Sequence, residues 1–164
     1  MNAVVSKHKI VIAVTATSSA KPLWRAAMDL LARAEGELIA VFVADERWER
    51  AAGLPFTREI SSITGTASAF TPERAQDLVA ASATRMRRKF EKMAARNSRN
   101  MVFEILSDVD ERMIDRLVGD SQLTVIASHE LSGSPVYLTL QRRRCEIVLV
   151  GDAGLGKPVD ETAD

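Results

Sequence analysis

An open, doubly wound α/β domain, with a mainly parallel five-stranded sheet and helices on both faces, is predicted by three features of this chain. Short β-branched runs, Ile10 to Val14 first among them, read as strands covered on both sides. They alternate with segments whose apolar residues recur at helical spacing, the pattern of successive βαβ units. At 164 residues the chain is long enough to bury one core without metal or disulfide staples.

Composition narrows the function classes. Hydrophobic residues make up 46% and charged residues 27%, an ordinary globular mixture. Lys plus Arg and Asp plus Glu both number 22, so net charge gives no reason to expect nucleic acid as a partner. The single Cys145 has no internal disulfide partner, which fits a reducing compartment. The apolar run Ile10 to Val14 is too short for the core of an export signal. Nothing approaches the roughly 20 apolar residues of a membrane helix. The expectation is a cytoplasmic protein with no membrane contact, its domain spanning 1–150 and a flexible Gly- and acid-rich tail covering 151–164.

The first strand, Lys9 to Val14, runs straight into the polar turn Thr15-Ala16-Thr17-Ser18-Ser19. Ser18 or Ser19 can cap the helix that follows, and Pro22 suits its first turn because the missing N–H costs nothing there. Leu23, Trp24, Ala27, Leu30, Leu31 and Ala34 recur at helical spacing, and Gly36 supplies a stop. Trp24 reads as a core anchor of that helix face in preference to a ring for stacking on a base. Leu38 to Ala44 is the second strand, which completes a right-handed βαβ unit. From Arg47 to Phe70 no period is sustained, so a long surface excursion is expected, with one helical turn near Trp48. Loops of this length serve as lids or binding segments or are simply disordered, and the sequence favours neither.

Thr71-Pro72-Glu73 opens a helix with a cap hydroxyl, a proline at the first position and an acid near the dipole's positive end. It should run to about Asn97 and bury Leu78, Val79, Ala83, Met86, Phe90 and Met93. Its second half is basic from Arg85 to Arg99, with only Glu91 opposing. A phosphate or nucleic-acid site is one reading of that face; a solvated helix surface rich in good helix formers is the preferred one. Met101 to Leu106 is the third strand, Asp110 to Val118 a short helix and Leu123 to Ala127 the fourth strand. The acids Asp108, Asp110, Glu111 and Asp115 lack calcium-loop spacing and read as helix capping, with no metal site. Ser128 to Arg144 is the least regular connection, ending in three arginines that suit a helix's last turn. Glu146 to Val150 is the closing strand.

In order and in local residues the chain resembles the universal stress protein family, whose fold is Rossmann-like and shared with adenine-nucleotide α-hydrolases. The resemblance is carried by Lys9-Ile10-Val11-Ile12-Ala13-Val14 and Glu37-Leu38-Ile39-Ala40-Val41-Phe42-Val43 as the first two strands. Asp110-Glu111-Arg112-Met113-Ile114, Thr124-Val125-Ile126-Ala127-Ser128 and Cys145-Glu146-Ile147-Val148-Leu149-Val150 carry it further. It spans Lys9 to Val150. Nucleotide-binding members have an acid after strand one. After strand four they carry Gly, two residues, Gly, nine residues, then Gly and Ser or Thr, so that backbone N–H groups approach the phosphates. Here Thr15 stands at the acid position, and the motif's spacing falls on Ala127, Glu130, Leu140 and Gln141. Glu130 places a carboxylate where phosphate oxygens would sit. Like charges at about 4 Å repel by roughly 4 kcal/mol at an effective dielectric of 20. Val43, at the position that contacts adenine in the family, is kept.

What the resemblance implies is a stress-response regulatory or scaffolding domain with a degenerate nucleotide site. It would pair as a homodimer through Cys145, Ile147, Val148, Leu149 and Val150, and act on a protein partner that the sequence does not name. The alternative is a switch that retains ATP or AMP through altered contacts. Thr15, Thr17, Ser18, Val43, Ser128 and Ser132 are then the candidate binding residues. No catalytic residue is assigned and no cofactor is expected. Ser128-His129-Glu130 are chain neighbours whose side chains diverge, so adjacency makes no triad. His8 is expected to be exposed, and Cys145 to be a small core residue. Gly151 to Pro158 lacks the Gly-Lys-Ser/Thr ending of a phosphate loop.

Overall fold

A computed structural model of the chain describes residues 8–44, 58–60, 65, 67–107, 111–119, 122–143 and 145–151. The strands are β1 (His8–Val14), β2 (Glu37–Ala44), β3 (Arg58–Ile60), β4 (Ala67–Ala69), β5 (Val102–Ser107), β6 (Gln122–Ser128) and β7 (Glu146–Val150). The helices are α1 (Ala20–Arg33), α2 (Pro72–Arg96), α3 (Glu111–Val118) and α4 (Pro135–Arg142). Five strands form one all-parallel sheet in the order β5-β2-β1-β6-β7, as a doubly wound α/β fold requires. The chain winds outward from β1 through β2 to β5, then returns to lay β6 on the other side of β1. The switch point therefore lies between the carboxyl ends of β1 and β6.

β1 is central because its side chains suit both layers. Ile10, Ile12 and Val14 join Leu23, Trp24, Ala27 and Phe90 under α1 and α2. Val11 and Ala13, pointing the other way, join Ile114, Leu117, Val136 and Leu140 under α3 and α4. Burying each such branched side chain contributes about 1.5–3 kcal/mol. Trp24 is a core residue, tilted against Phe90 with ring centroids 6.2 Å apart. At the strand's start His8 is half-buried rather than exposed, because its Nε2 bonds the Oγ1 of buried Thr124 at 2.8 Å.

Several boundaries differ from the sequence expectation. α1 ends at Arg33, and the N–H of extended Ala34 donates to the Leu30 carbonyl at 3.0 Å. Gly36 is therefore not the helix stop. It lets β2 start close beside β1: a Cβ there would lie 2.8 Å from the His8 carbonyl oxygen. Gly36→Ala is expected to force the two strand starts apart and to cost about 1–3 kcal/mol, as overpacking does, read as a lower urea midpoint. A fully stable variant would show that the strand start yields freely.

Within the stretch from Arg47 to Phe70, β3 and β4 pair as an antiparallel hairpin and Phe70 is buried, so the excursion is partly regular. The turn expected near Trp48 lies outside the described residues. α2 begins as its sequence signals demand, Thr71 Oγ1 accepting from the Arg74 N–H at 3.2 Å. Its Leu78, Val79 and Met93 are only half-buried, and Ala75 and Ala94 join the core instead.

The connection after β6 also holds more structure than expected. A short 3-10 turn (His129–Leu131) leads to α4, whose start is capped by Ser134 accepting from the Tyr137 N–H, with Pro135 behind it. Gly133, at φ +81°, takes the left-handed step between them. Arg143, just past α4, pairs with Asp115 of α3. That acid thus belongs to a helix contact on the surface, where one ion pair contributes about 0–1 kcal/mol. Asp108 and Asp110 lie outside the described residues, as does the tail from 152 to 164.

Candidate functional site

The carboxyl ends of β1 and β6 carry a connected set of hydroxyls that closes on one carboxylate. Ser18 folds back on the turn, accepting the Thr15 N–H on Oγ at 2.9 Å and donating its own N–H to the Thr15 carbonyl at 3.2 Å. Ser18 is buried, and so is Ser128 of β6, whose Oγ lies 3.3 Å from Ser18 Oγ. Ser18 Oγ is also 3.1 Å from Thr15 Oγ1. Thr15 and Thr17 both donate to Glu130 Oε2, at 3.2 and 2.5 Å.

Proton counting orders this network. Each hydroxyl has one hydrogen, and those of Thr15 and Thr17 are committed to the carboxylate. The 3.3 Å contact between Thr15 and Thr17 therefore carries no proton. Ser18 donates to Thr15, and Ser128 donates to Ser18. The relay runs Ser128, Ser18, Thr15, Glu130, with every hydrogen aimed at the negative charge and each bond polarising the next.

Beside this network a cleft of about 450 Å3 opens toward α2. Among the described residues its walls are Thr15, Ala16, Thr17, Phe42, Val43, Ala75, Leu78, Val79, Ser82 and Glu130. Its size falls within the usual range of small-molecule sites, and its walls are mostly apolar with a few convergent polar groups. Of the sequence candidates, Thr15, Thr17 and Val43 line it. Ser18 and Ser128 sit behind the turn as support. Ser132 is exposed at the end of the 3-10 turn and does not line the cleft. Phe42 and the α2 residues Ala75, Leu78, Val79 and Ser82 also line it, and no sequence motif marks them as site residues. Leu78 and Val79 did stand in the helix's apolar stripe, and periodicity alone does not distinguish a pocket wall from core.

The site is poorly equipped for phosphate. The backbone donors of Thr15 and Ser18, at the mouth of the turn, are already used within the turn. Glu130 adds a carboxylate to the cleft wall, which repels an anion. Ser128, His129 and Glu130 diverge: the first points to Ser18, the second is exposed beside Gly151, and the third turns to the threonines. Cys145 is half-buried, and burial pushes its thiol pKa up against the opposing pull of Arg143, which keeps the thiolate scarce near neutrality. Among the described residues, no three His, Cys, Asp or Glu side chains are grouped to hold a metal, and no helix is long and apolar enough to cross a membrane.

Compared with known proteins, the chain matches no family model, no curated protein and no solved structure.

Proposed function

We propose that this chain is a universal-stress-like regulatory or scaffolding domain. It works as a cytoplasmic homodimer and acts through protein contacts, without catalysis and without a triphosphate at the switch point. The observation that carries this reading is the Glu130 carboxylate, held by the Thr15 and Thr17 hydroxyls where the family's motif brings phosphate. Dimerisation is supported by β7, an edge strand whose Ile147, Val148, Leu149 and Val150 are all half-buried. An apolar edge of this kind templates pairing with another chain unless it is covered. Light scattering at micromolar concentration, with and without millimolar ATP, is expected to report a dimer in both conditions. A monomer in either would overturn the reading.

The cleft itself favours a second reading, a switch that responds to an adenine compound. Phe42 and Val43 offer an apolar seat for a ring, while Thr15, Thr17 and Glu130 offer polar contacts at one end. The carboxylate selects for the uncharged end of the series, adenosine over ATP. Adenosine at a hundred times its dissociation constant would add about 2.7 kcal/mol of stability. No rise in melting temperature at millimolar adenosine would remove this reading.

A further inference from the structure

α1 and α2 lie side by side on one face of the sheet and touch through Trp24 and Phe90. Outside that contact they leave a groove of about 600 Å3. Lys21 and Arg25 of α1 face it from one side, and Lys89, Lys92 and Arg96 of α2 from the other. All five are exposed, none forms an ion pair with a described residue, and no carboxylate among the described residues lines the groove. The nearest acids along the same helices, Asp29 and Glu91, are not among its walls. Of the last carbonyls of α2, which would oppose an anion, that of Met93 accepts from Asn97 Nδ2 at 2.7 Å, and those of Ala94 and Ala95 accept from backbone N–H groups of the turn that follows.

Helix propensity accounts for lysines and arginines on a solvated face. It does not account for cations of two helices turned toward one another, since like charges at helical spacing already weaken a helix and facing ones add to the repulsion. In a chain with equal numbers of acids and bases, the concentration of uncompensated charge in one concavity favours a ligand. Arginine forks bind phosphate oxygens in pairs, and lysines supply compact charges beside them.

We propose that this groove binds an oligophosphate chain of the triphosphate class, either free or as the tail of a nucleotide. The site is separate from the switch-point cleft, and neither reading depends on the other. The test is calorimetric titration of the full chain with inorganic tripolyphosphate at physiological salt, with sulfate at matched ionic strength as the control anion. The Lys92→Glu/Arg96→Glu double variant alters only exposed side chains and is expected to lose affinity by about tenfold or more, as truncated charge pairs do. Arg112→Glu/Arg116→Glu on α3, on the opposite face of the sheet, is expected to bind as the parent does. ATP binding equal to tripolyphosphate would identify the phosphate chain alone as the ligand; tighter ATP binding would identify a nucleotide. The proposal is overturned if millimolar tripolyphosphate gives no binding, if sulfate binds as well, or if reversal on α3 weakens binding equally. It is also overturned if a single-stranded oligonucleotide binds and tripolyphosphate does not displace it.

Discussion

Glu130→Gln is expected to raise the affinity of the switch-point cleft for ATP by about tenfold or more, which is about 1.4 kcal/mol. Adenosine, which carries no phosphate, should respond equally to parent and variant. Glu130 Oε2 lies within hydrogen-bond reach of both threonines of the turn, so a phosphate entering there would come close to the carboxylate. Two like charges at about 4 Å repel by about 1 kcal/mol in bulk water and about 4 kcal/mol at an effective dielectric of 20. Glu130 is exposed, which places the effect in the lower part of that range. Glutamine keeps the shape and one acceptor oxygen, so the Thr17 hydroxyl retains a partner and the turn keeps its geometry. Binding should be measured in the Lys92→Glu/Arg96→Glu background, where the groove between the helices adds little anion affinity. An unchanged ATP affinity would shift the cause from the carboxylate to the backbone, where the Thr15 N–H is already held by Ser18.

The sheet was legible because parallel strands buried on both faces must be apolar along their whole length, and Ile10 to Val14 or Leu38 to Val43 have no other comfortable place. The start of α2 was legible for an equally local reason: a hydroxyl, a proline and an acid at Thr71-Pro72-Glu73 satisfy the first turn's donors without tertiary help. Ser134-Pro135 carries the same signal before α4. The helix that follows shows no readable period, because its eight residues bury only Val136 and Leu140. The β3–β4 hairpin pairs three residues on each side, below the length at which alternation is readable. Gly36 stands where a glycine usually ends a helix, and its true constraint comes from His8, 28 positions away in the chain.

The candidate site was legible in outline only. Doubly wound topology brings the ends of the first and fourth strands together, and that is what puts Glu130 beside Thr15. The direction in which the carboxylate turns, and the hydroxyl order that supports it, depend on side-chain geometry across more than a hundred residues. The basic stripe of α2 was visible at i, i+3 and i+7 in Lys89, Lys92 and Arg96. Its convergence with Lys21 and Arg25 was not, because periodicity identifies a helix's faces and not the neighbour each face meets. The long connection between β2 and α2 gave the least information, since it offers neither a sustained period nor a run of turn residues at fixed spacing.

Phe90→Ala is expected to be the most damaging substitution, lowering stability by about 3–5 kcal/mol, the range for an aromatic truncated in a core. Phe90 has no solvent exposure, packs among the residues under α1 and α2, and meets Trp24 in a tilted ring pair. The loss combines the transfer energy of the ring, the cavity left behind, and about 0.5–1.5 kcal/mol for the aromatic pair. Against a total of about 5–15 kcal/mol for a domain, that is a large fraction. Phe90→Leu fills much of the same space and should lose considerably less. Urea unfolding followed by tryptophan fluorescence in a Trp48→Phe background, so that Trp24 alone reports, should show a lower midpoint at unchanged slope. A changed slope would mean that the native or denatured ensemble itself had altered. Position makes this residue informative about function as well as folding. On α2, Phe90 follows the cleft wall at Ala75 to Ser82 and is flanked by the groove cations Lys89 and Lys92. A cavity there frees the helix that carries both, so Phe90→Ala should weaken tripolyphosphate binding even at temperatures where the chain stays folded. Full affinity in a folded Phe90→Ala protein would show that the groove is positioned by the helix ends and not by the aromatic pair beneath it.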